Sequence, residues 1–204
     1  MPRSTARPFN RLAAALALAM ATPVAALLSA PAYAENMQSG ELGLPVGAQA
    51  PLVTGVTQEN APKTFDQLTG ENGLVLAFFR SADWCPYCKG QLRDLNTIAA
   101  DLDAKGYKLA ALSYDSVDTL KEFSEKNAIA YTLLSDPQSE IIDAFGVRNE
   151  EMRGKKRFDG IPHPAIFFIS PDGVIKAKLY EEGYKNRPQT AAILETAASL
   201  QNGS

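Results

Sequence analysis

The chain has 204 residues, with 20 Lys and Arg residues against 23 Asp and Glu residues, and a formal net charge of −3 at pH 7. An excess of acidic residues without a basic stripe argues against nucleic-acid binding, and we expect no nucleic-acid partner. Two cysteines are too few for a disulfide-rich scaffold.

Residues 1–34 have the pattern of a secretory signal peptide. They carry three arginines and no acidic side chain, followed by an uncharged apolar stretch, Leu12–Ala30, and a small-x-small cleavage motif that ends at Ala34. We expect cleavage after Ala34, secretion into the periplasm, and no membrane attachment afterwards. Removing 34 of 204 residues leaves 170, enough for one domain, and leaves 17 of the 20 basic residues against 23 acidic ones. Outside the cytosol, the cysteines would be oxidised unless a partner supplies electrons.

The remaining chain predicts a flexible polar leader over residues 35–43 and one domain over residues 44–200. Strand and helix patterns alternate through the domain and end in a hairpin, which predicts an α/β sandwich around a central sheet. The predicted strands are 74–79, 108–113, 131–134, 165–169 and 174–179. The predicted helices are 86–105, 117–127, 140–145 and 189–200, with a charged loop over 148–159.

Both cysteines lie in the stretch "SADWCPYCKGQLRDL", residues 81–95. Cys85 lies at the start of a predicted helix that has Pro86 in its first turn, where free backbone N–H groups and the positive helix end favour a thiolate. Such placement can lower a cysteine pKa from about 8.5 to between about 3.5 and 7.5. Cys88 lies one turn further in, and Trp84 would cover one side of the pair. This arrangement predicts a redox centre with an exposed nucleophile, Cys85, and a sheltered resolving thiol, Cys88.

Two other interpretations of the Cys-x-x-Cys pair compete with the redox one. A structural zinc site needs four ligands, and His163 is the only further Cys or His ligand in the chain. An inert disulfide would close only a small loop and constrain the unfolded chain little. We therefore expect no metal and no cofactor other than a redox-active Cys85–Cys88 disulfide, with a non-catalytic module as an alternative from another class.

The motifs "PVGAQAP", "WCPYC" and "GIPHPAIFFISPDG" resemble the thioredoxin superfamily, and more narrowly its redoxin branch of alkyl hydroperoxide reductase and thiol-specific antioxidant proteins. The resemblance covers about residues 44–200. It implies a thioredoxin-like fold, a central mixed β-sheet flanked by helices, with a helix–strand insertion at 117–134. It also implies a thiol–disulfide oxidoreductase whose partners are protein thiols or disulfides or a thiol reductant. Pro164 matches the family's cis-proline, which faces the disulfide.

Departures from the family patterns affect the predicted activity. Peroxiredoxins resemble Pro-x-x-x-Thr/Ser-x-x-Cys at the peroxide-reducing cysteine, but Phe78 and Ala82 occupy those places here. Peroxiredoxins also have an active-site arginine that follows this cysteine in the chain, and its place falls near Pro164 here. A hydroperoxide-reducing enzyme with Cys85 as its peroxidatic cysteine is therefore the alternative function. Thioredoxins carry a buried acid where this chain has Phe79.

Four further features have an open role. If Pro164 is the cis-proline, His163 would lie beside the sulfurs and stabilise the Cys85 thiolate; otherwise it is a loop histidine. Arg80 is either a cation near Cys85 or a partner of Asp83. Asp83 is also a candidate for proton transfer. The run "RGKKRF" is interpreted as a solvated loop, with partner docking as the alternative.

Overall fold

The computed structural model describes Met1 and residues 41–51, 54–183 and 185–202. Apart from Met1, the predicted signal peptide lies outside the described residues, as do residues 35–40 of the predicted leader. Within the described ranges, no helix combines the length and the apolar composition needed to cross a membrane.

The described residues form a seven-stranded sheet with helices packed on both faces. The strands are β1 (Gly55–Thr57), β2 (Pro62–Lys63), β3 (Gly73–Phe78), β4 (Tyr107–Ser113), β5 (Thr132–Ser135), β6 (Ala165–Ile169) and β7 (Ile175–Leu179). The α-helices are α1 (Phe65–Leu68), α2 (Pro86–Ala104), α3 (Val117–Asn127), α4 (Glu140–Ala144) and α5 (Thr190–Asn202). Two short 3₁₀ turns, Glu150–Met152 and Lys156–Phe158, lie in the predicted charged loop.

The strands lie in the order β2-β1-β5-β4-β3-β6-β7. β3, β4 and β5 are mutually parallel, whereas β1, β6 and β7 run antiparallel to their neighbours. This is the central mixed sheet that the resemblance implies, and the helix–strand insertion of α3 and β5 is present. The predicted thioredoxin-like α/β fold is therefore confirmed.

The central strand β3 is buried along its whole length because both faces of the sheet are covered. Side chains alternate along it: Leu74, Leu76 and Phe78 join the core beside α1 and α4. Val75 and Ala77 face the opposite core, beside α2, α3 and α5. The carboxyl end of β3 leads directly into the cysteine segment, so the sheet fixes where that segment begins.

The last residues of the predicted leader are held by β7. The ammonium group of Lys178 lies 2.9 Å from the Glu41 carboxylate and donates to the Leu42 carbonyl at 2.8 Å. Gly43 has φ +68°, and a side chain there would lie 2.8 Å from Val147. The ordered domain therefore includes Glu41–Gly43, which sequence patterning assigned to the leader.

Candidate functional site

The two cysteines form a disulfide at the N-terminus of α2, with Cα atoms 5.3 Å apart. Cys85 is the N-cap residue, and its Sγ accepts the backbone N–H of Cys88 at 3.3 Å. Pro86 occupies the first helical turn, where a missing N–H costs no intrahelical hydrogen bond. The predicted helix start is confirmed, and it places free backbone donors around the sulfur of Cys85.

Both sulfur-bearing residues are buried, which differs from the expected exposed nucleophile. Cys85 is 2% exposed and Cys88 is fully covered, whereas Tyr87 between them is 42% exposed. The cover comes partly from Trp84, which is half-buried, and partly from the segment that precedes α5. A substrate or partner must therefore reach Cys85 at the edge of a covered pair.

Arg187, in the segment before α5, lies on the disulfide. Its guanidinium donates to Cys88 Sγ at 3.3 Å and to Gln91 Oε1 at 2.8 Å. Burial, and to a lesser degree the charge of Arg80, lowers the pKa of Arg187 to about 10, so it stays protonated at neutral pH. The structure thus places a cation on the sulfur that becomes the leaving thiolate when a reductant attacks Cys85.

We expect Arg187→Gln to slow reduction of the disulfide by dithiothreitol at least tenfold. A hydrogen bond to a charged group contributes about 1.5–3 kcal/mol, and a better-stabilised leaving thiolate departs faster. Stopped-flow fluorescence of Trp84, the single tryptophan, follows the reaction. Lys185→Gln removes an equal charge two residues away and serves as the control. Equal rates for Arg187→Gln and the control would show that the contact has no role in reduction.

The segment that links β3 to Cys85 is held by a buried carboxylate, Asp115. Asp115 accepts the backbone N–H of Ala82 at 2.6 Å and the hydroxyls of Ser81 at 2.8 Å and Ser113 at 2.9 Å. The Ser81 hydroxyl in turn accepts the backbone N–H of Asp83 at 3.0 Å. Burial raises the pKa of Asp115, and these hydrogen bonds oppose the rise. The network fixes the approach to Cys85.

Trp84 is the centre of a stacked group beside the disulfide. Its indole N–H donates to the Tyr114 hydroxyl at 2.9 Å, and the Phe158 ring packs edge-on with centroids 5.0 Å apart. The Arg80 guanidinium lies 5.1 Å from the centre of the Trp84 ring, a cation–π contact. Arg80 thus packs on the residue that precedes Cys85, whereas Asp83 is exposed and lines a cleft with Lys89.

Pro164 directly precedes Ala165, which pairs with Phe78 at the carboxyl end of β3, so it lies at the same end of the sheet as Cys85. No cis peptide bond occurs in the described part of the chain, so the expectation of a cis-proline at 164 is wrong. The backbone N–H of His163 donates to the Val147 carbonyl at 2.7 Å, which ties this stretch to the loop after α4.

His163 lines a cleft of about 580 Å³ together with Arg80, Pro164 and Tyr180. Within the described ranges, its imidazole makes no hydrogen bond to either sulfur. Burial lowers its pKa, the nearby Arg80 lowers it further, and Glu151 opposes the shift. The neutral imidazole is thus favoured, which weakens the hypothesis that a protonated His163 stabilises the thiolate.

The lowered pKa of His163 predicts a loss of stability in mild acid. The unfolded chain takes up the proton at about pH 6.5, before the folded chain does, so stability is lost as the pH falls below that value. His163→Gln should therefore show a smaller fall in Tm between neutral and mildly acidic pH than the parent chain. An equal fall in both proteins would contradict the assigned direction.

The structure places no side-chain hydroxyl at positions 78 and 82, where peroxiredoxins have a residue that orients the peroxide. Phe78 is fully buried in the core and Ala82 is 4% exposed, with no polar side-chain atom at either place. The neighbouring hydroxyl of Ser81 cannot substitute, because it already donates to Asp115. The hydrogen bonds that reach the two sulfurs come from the Arg187 guanidinium, on Cys88, and the backbone N–H of Cys88, on Cys85.

Sequence reasoning missed Arg187, Gln91 and Asp115 as parts of this site. Arg187 lies 99 residues from Cys88 in the chain, and the stretch around it matches no motif. Asp115 could have been found as the only acid directly after the second parallel strand, since the carboxyl ends of parallel strands meet at one edge of a sheet.

Comparisons with known proteins agree with this fold. The AhpC/TSA family matches residues 46–178. A bcp protein of Haemophilus influenzae is 33% identical over 132 residues, which cover 65% of this chain and 83% of that protein. The Escherichia coli protein named Peroxiredoxin Bcp is 33% identical over 102 residues, which cover 50% of this chain and 65% of that protein.

Solved structures show the same fold. Peroxidoxin BcpB from Mycobacterium tuberculosis aligns with a TM-score of 0.65 at 21% identity, covering 79% of this chain and 98% of that one. Peroxiredoxin Q of Xanthomonas campestris aligns with a TM-score of 0.59 at 25% identity, covering 74% of this chain and 90% of that one. Since the family match extends over more than half of the residues, from the strands before the cysteines to the last hairpin, the chain belongs to the AhpC/TSA family.

Proposed function

We propose that this chain is a thiol-dependent peroxidase that reduces hydroperoxides through Cys85 and Cys88. The observation that carries the proposal is the Cys85 sulfur at the start of α2, in a chain of the AhpC/TSA family whose relatives are named peroxiredoxins. The thiol peroxidase, which sequence reasoning ranked second to a thiol–disulfide oxidoreductase, is thus the better supported function.

The proposed cycle starts with attack of the Cys85 thiolate on one peroxide oxygen. An S–O bond forms, the O–O bond breaks, and the departing alkoxide takes up a proton to become an alcohol, leaving Cys85 as a sulfenic acid. Cys88 then attacks the Cys85 sulfur, the S–O bond breaks, and water leaves as the disulfide forms. A thiol reductant supplies two electrons and two protons to restore the dithiol. The Cys85–Cys88 disulfide of the structure corresponds to the oxidised end of this cycle.

The charges around the pair support this chemistry without a hydroxyl at position 82. Arg187 donates to the Cys88 sulfur, and the Arg80 guanidinium lies beside Trp84, the residue before Cys85. Cations close to a reacting sulfur stabilise the thiolate and the anionic oxygen that leaves. Guanidinium groups are therefore the proposed stabilisers of the developing charge.

A second candidate function is thiol–disulfide exchange with protein substrates. Its specific support is the Cys-x-x-Cys spacing together with the apolar side chains at Phe78 and Ala82. The two functions share the dithiol and differ only in the oxidant, a hydroperoxide or a disulfide.

A competition experiment separates the two functions. Reduced protein is mixed in stopped flow with hydrogen peroxide, cumene hydroperoxide or a peptide disulfide at equal concentration, and Trp84 fluorescence reports oxidation. The proposal predicts that at least one hydroperoxide oxidises the dithiol faster than the peptide disulfide does. A faster reaction with the disulfide than with both hydroperoxides would favour the second candidate.

We also propose that the enzyme acts after export, on the basis of residues 1–34. In that compartment, the reductant must itself be supplied with electrons across the membrane. N-terminal sequencing of protein recovered from the cell envelope tests the proposal: Glu35 as the first residue supports it, and an uncleaved Met1 contradicts it.

A further inference from the structure

The loop between α4 and β6 carries three exposed cations in a row, Lys155, Lys156 and Arg157, which we name the basic cluster. Within the part of the chain that the structure describes, none of the three takes part in an ion pair. Two other arginines of the same loop are paired: Arg148 lies 3.0 Å from the carboxylate of Asp143, and Arg153 lies on Glu150. The basic cluster is thus a patch of three adjacent cations, without an ion pair in the described residues, on a chain of net charge −3.

The backbone that carries the basic cluster is held in a fixed shape. The Tyr114 hydroxyl donates to the Arg157 carbonyl at 2.5 Å, and the Gly154 N–H donates to the Asp159 carboxylate at 3.0 Å. Lys156 has φ +46°, in the left-handed region that side-chain-bearing residues disfavour. A strained and hydrogen-bonded backbone is more typical of a functional surface than of a merely solvated charge run.

The basic cluster also lies next to the redox pair. The Arg157 guanidinium lies 6.0 Å from the centre of the Trp84 ring, and the next residue, Phe158, packs against the same ring. Trp84 directly precedes Cys85. The basic cluster therefore adjoins the Trp84 side of the redox pair.

We propose that the basic cluster docks an acidic segment of the polypeptide dithiol that reduces the Cys85–Cys88 disulfide. The inference rests on the proposed function for its redox cycle and adds the surface on which the reductant docks and the charge of the segment that docks there. It commits to an acidic partner because three adjacent unpaired cations beside the pair would attract negative charge and repel a basic chain. Charge complementarity of this kind raises association rates by about 10- to 1,000-fold at low salt.

The exchange itself balances without a further reactant. One partner thiolate attacks the Cys85 sulfur, the disulfide breaks, and Cys88 leaves as a thiolate that takes up a proton. The second partner thiolate then attacks the mixed disulfide and releases Cys85 as a thiolate. The partner ends as a disulfide, and two electrons have passed to the Cys85–Cys88 pair.

The test uses two synthetic dithiol peptides that share a Cys-x-x-Cys core and differ only in flanking glutamates or flanking lysines. Each reduces the oxidised full chain, and Trp84 fluorescence gives the rate. Each rate is divided by the rate of the same peptide with bis(2-hydroxyethyl) disulfide, a neutral reagent that corrects for intrinsic thiol reactivity. We expect the acidic peptide to react about tenfold faster at low salt, with the ratio falling towards one in about 1 M salt, where the Debye length is about 3 Å.

Two charge-reversed variants locate the effect. Lys155→Glu combined with Lys156→Glu should remove or invert the preference for the acidic peptide. The control combines Lys63→Glu on β2 with Lys176→Glu on β7. It changes the net charge by the same amount, but at positions away from Trp84. The control should keep the preference.

Three results would overturn the proposal. The first is an equal rate for both peptides at low salt, and the second is a preference that both variants share. The third is binding of the basic cluster to anionic phosphatidylglycerol vesicles or to a second copy of the chain, without any peptide preference. Because no peroxide is used, failure of the peroxidase proposal would not alter how these outcomes are interpreted.

Discussion

Cys85→Ser should abolish hydroperoxide reduction, with consumption of peroxide in the presence of dithiothreitol falling to the rate of the reductant alone. In an enzyme that attacks through a side chain, removal of the nucleophile lowers kcat by on the order of 10⁶. Cys85 is assigned this role because its sulfur lies at the N-cap and accepts a backbone N–H at 3.3 Å. A colorimetric peroxide assay measures the effect.

Cys88→Ser is the matched comparison for Cys85→Ser. It should still consume one equivalent of peroxide per protein, because Cys85 remains, but it should form no intramolecular disulfide. If Cys85→Ser still consumed one equivalent of peroxide and Cys88→Ser did not, Cys88 would be the nucleophile and Cys85 the resolving thiol.

Asp115→Ala should lower the free energy of unfolding by about 3 kcal/mol, since each buried donor left without an acceptor costs about 1–3 kcal/mol. The substitution leaves the backbone N–H of Ala82 and the hydroxyls of Ser81 and Ser113 without their acceptor. It should also lower the rate of Cys85 oxidation, because the same contacts fix the segment before Cys85. Urea denaturation of the oxidised protein measures the stability change.

The pH dependence of the Asp115 effect has a definite sign. Burial raises the pKa of Asp115 in the folded chain above its value in the unfolded chain. Asp115 therefore makes its full contribution to stability at a pH below the pKa of the unfolded chain. This contribution is lost as the pH rises through the pKa of the folded chain. The destabilisation by Asp115→Ala should therefore be larger in acid than at neutral pH. Asp101→Ala, at an exposed position of α2, is the control and should change the stability by less than about 0.5 kcal/mol. Equal losses in both variants would contradict the role given to the network.

The core of the fold could be predicted from local patterns. The continuous apolar stretches that form β3 and β6 indicate strands buried on both faces, and α3 and β6 have the predicted bounds. The start of α2 was also predictable, because the Cys85-Pro86 pair has the character of an N-cap followed by the first turn. These features depend on residues close together in the chain.

Other features depend on contacts between distant residues and leave no local pattern. β1 and β2 have three and two residues, too few to show alternation, and exist because β1 pairs with β5. Arg187 reaches Cys88 across 99 residues. The burial of Cys85, which is 2% exposed, likewise depends on tertiary packing that no local pattern shows, so the sequence predicted an exposed sulfur.

The measurement that tests the central claim most directly is mass spectrometry of the Cys88→Ser protein after one equivalent of hydroperoxide and trapping with dimedone. Because Cys85 is proposed to attack the peroxide and Cys88 to resolve the product, the trapped sulfenic acid should lie on Cys85 and account for most of the protein. The same treatment of the parent chain should give the Cys85–Cys88 disulfide with no trapped product. The peroxidase assignment would be contradicted if no hydroperoxide modified Cys85 in this variant while the variant still exchanged with peptide disulfides.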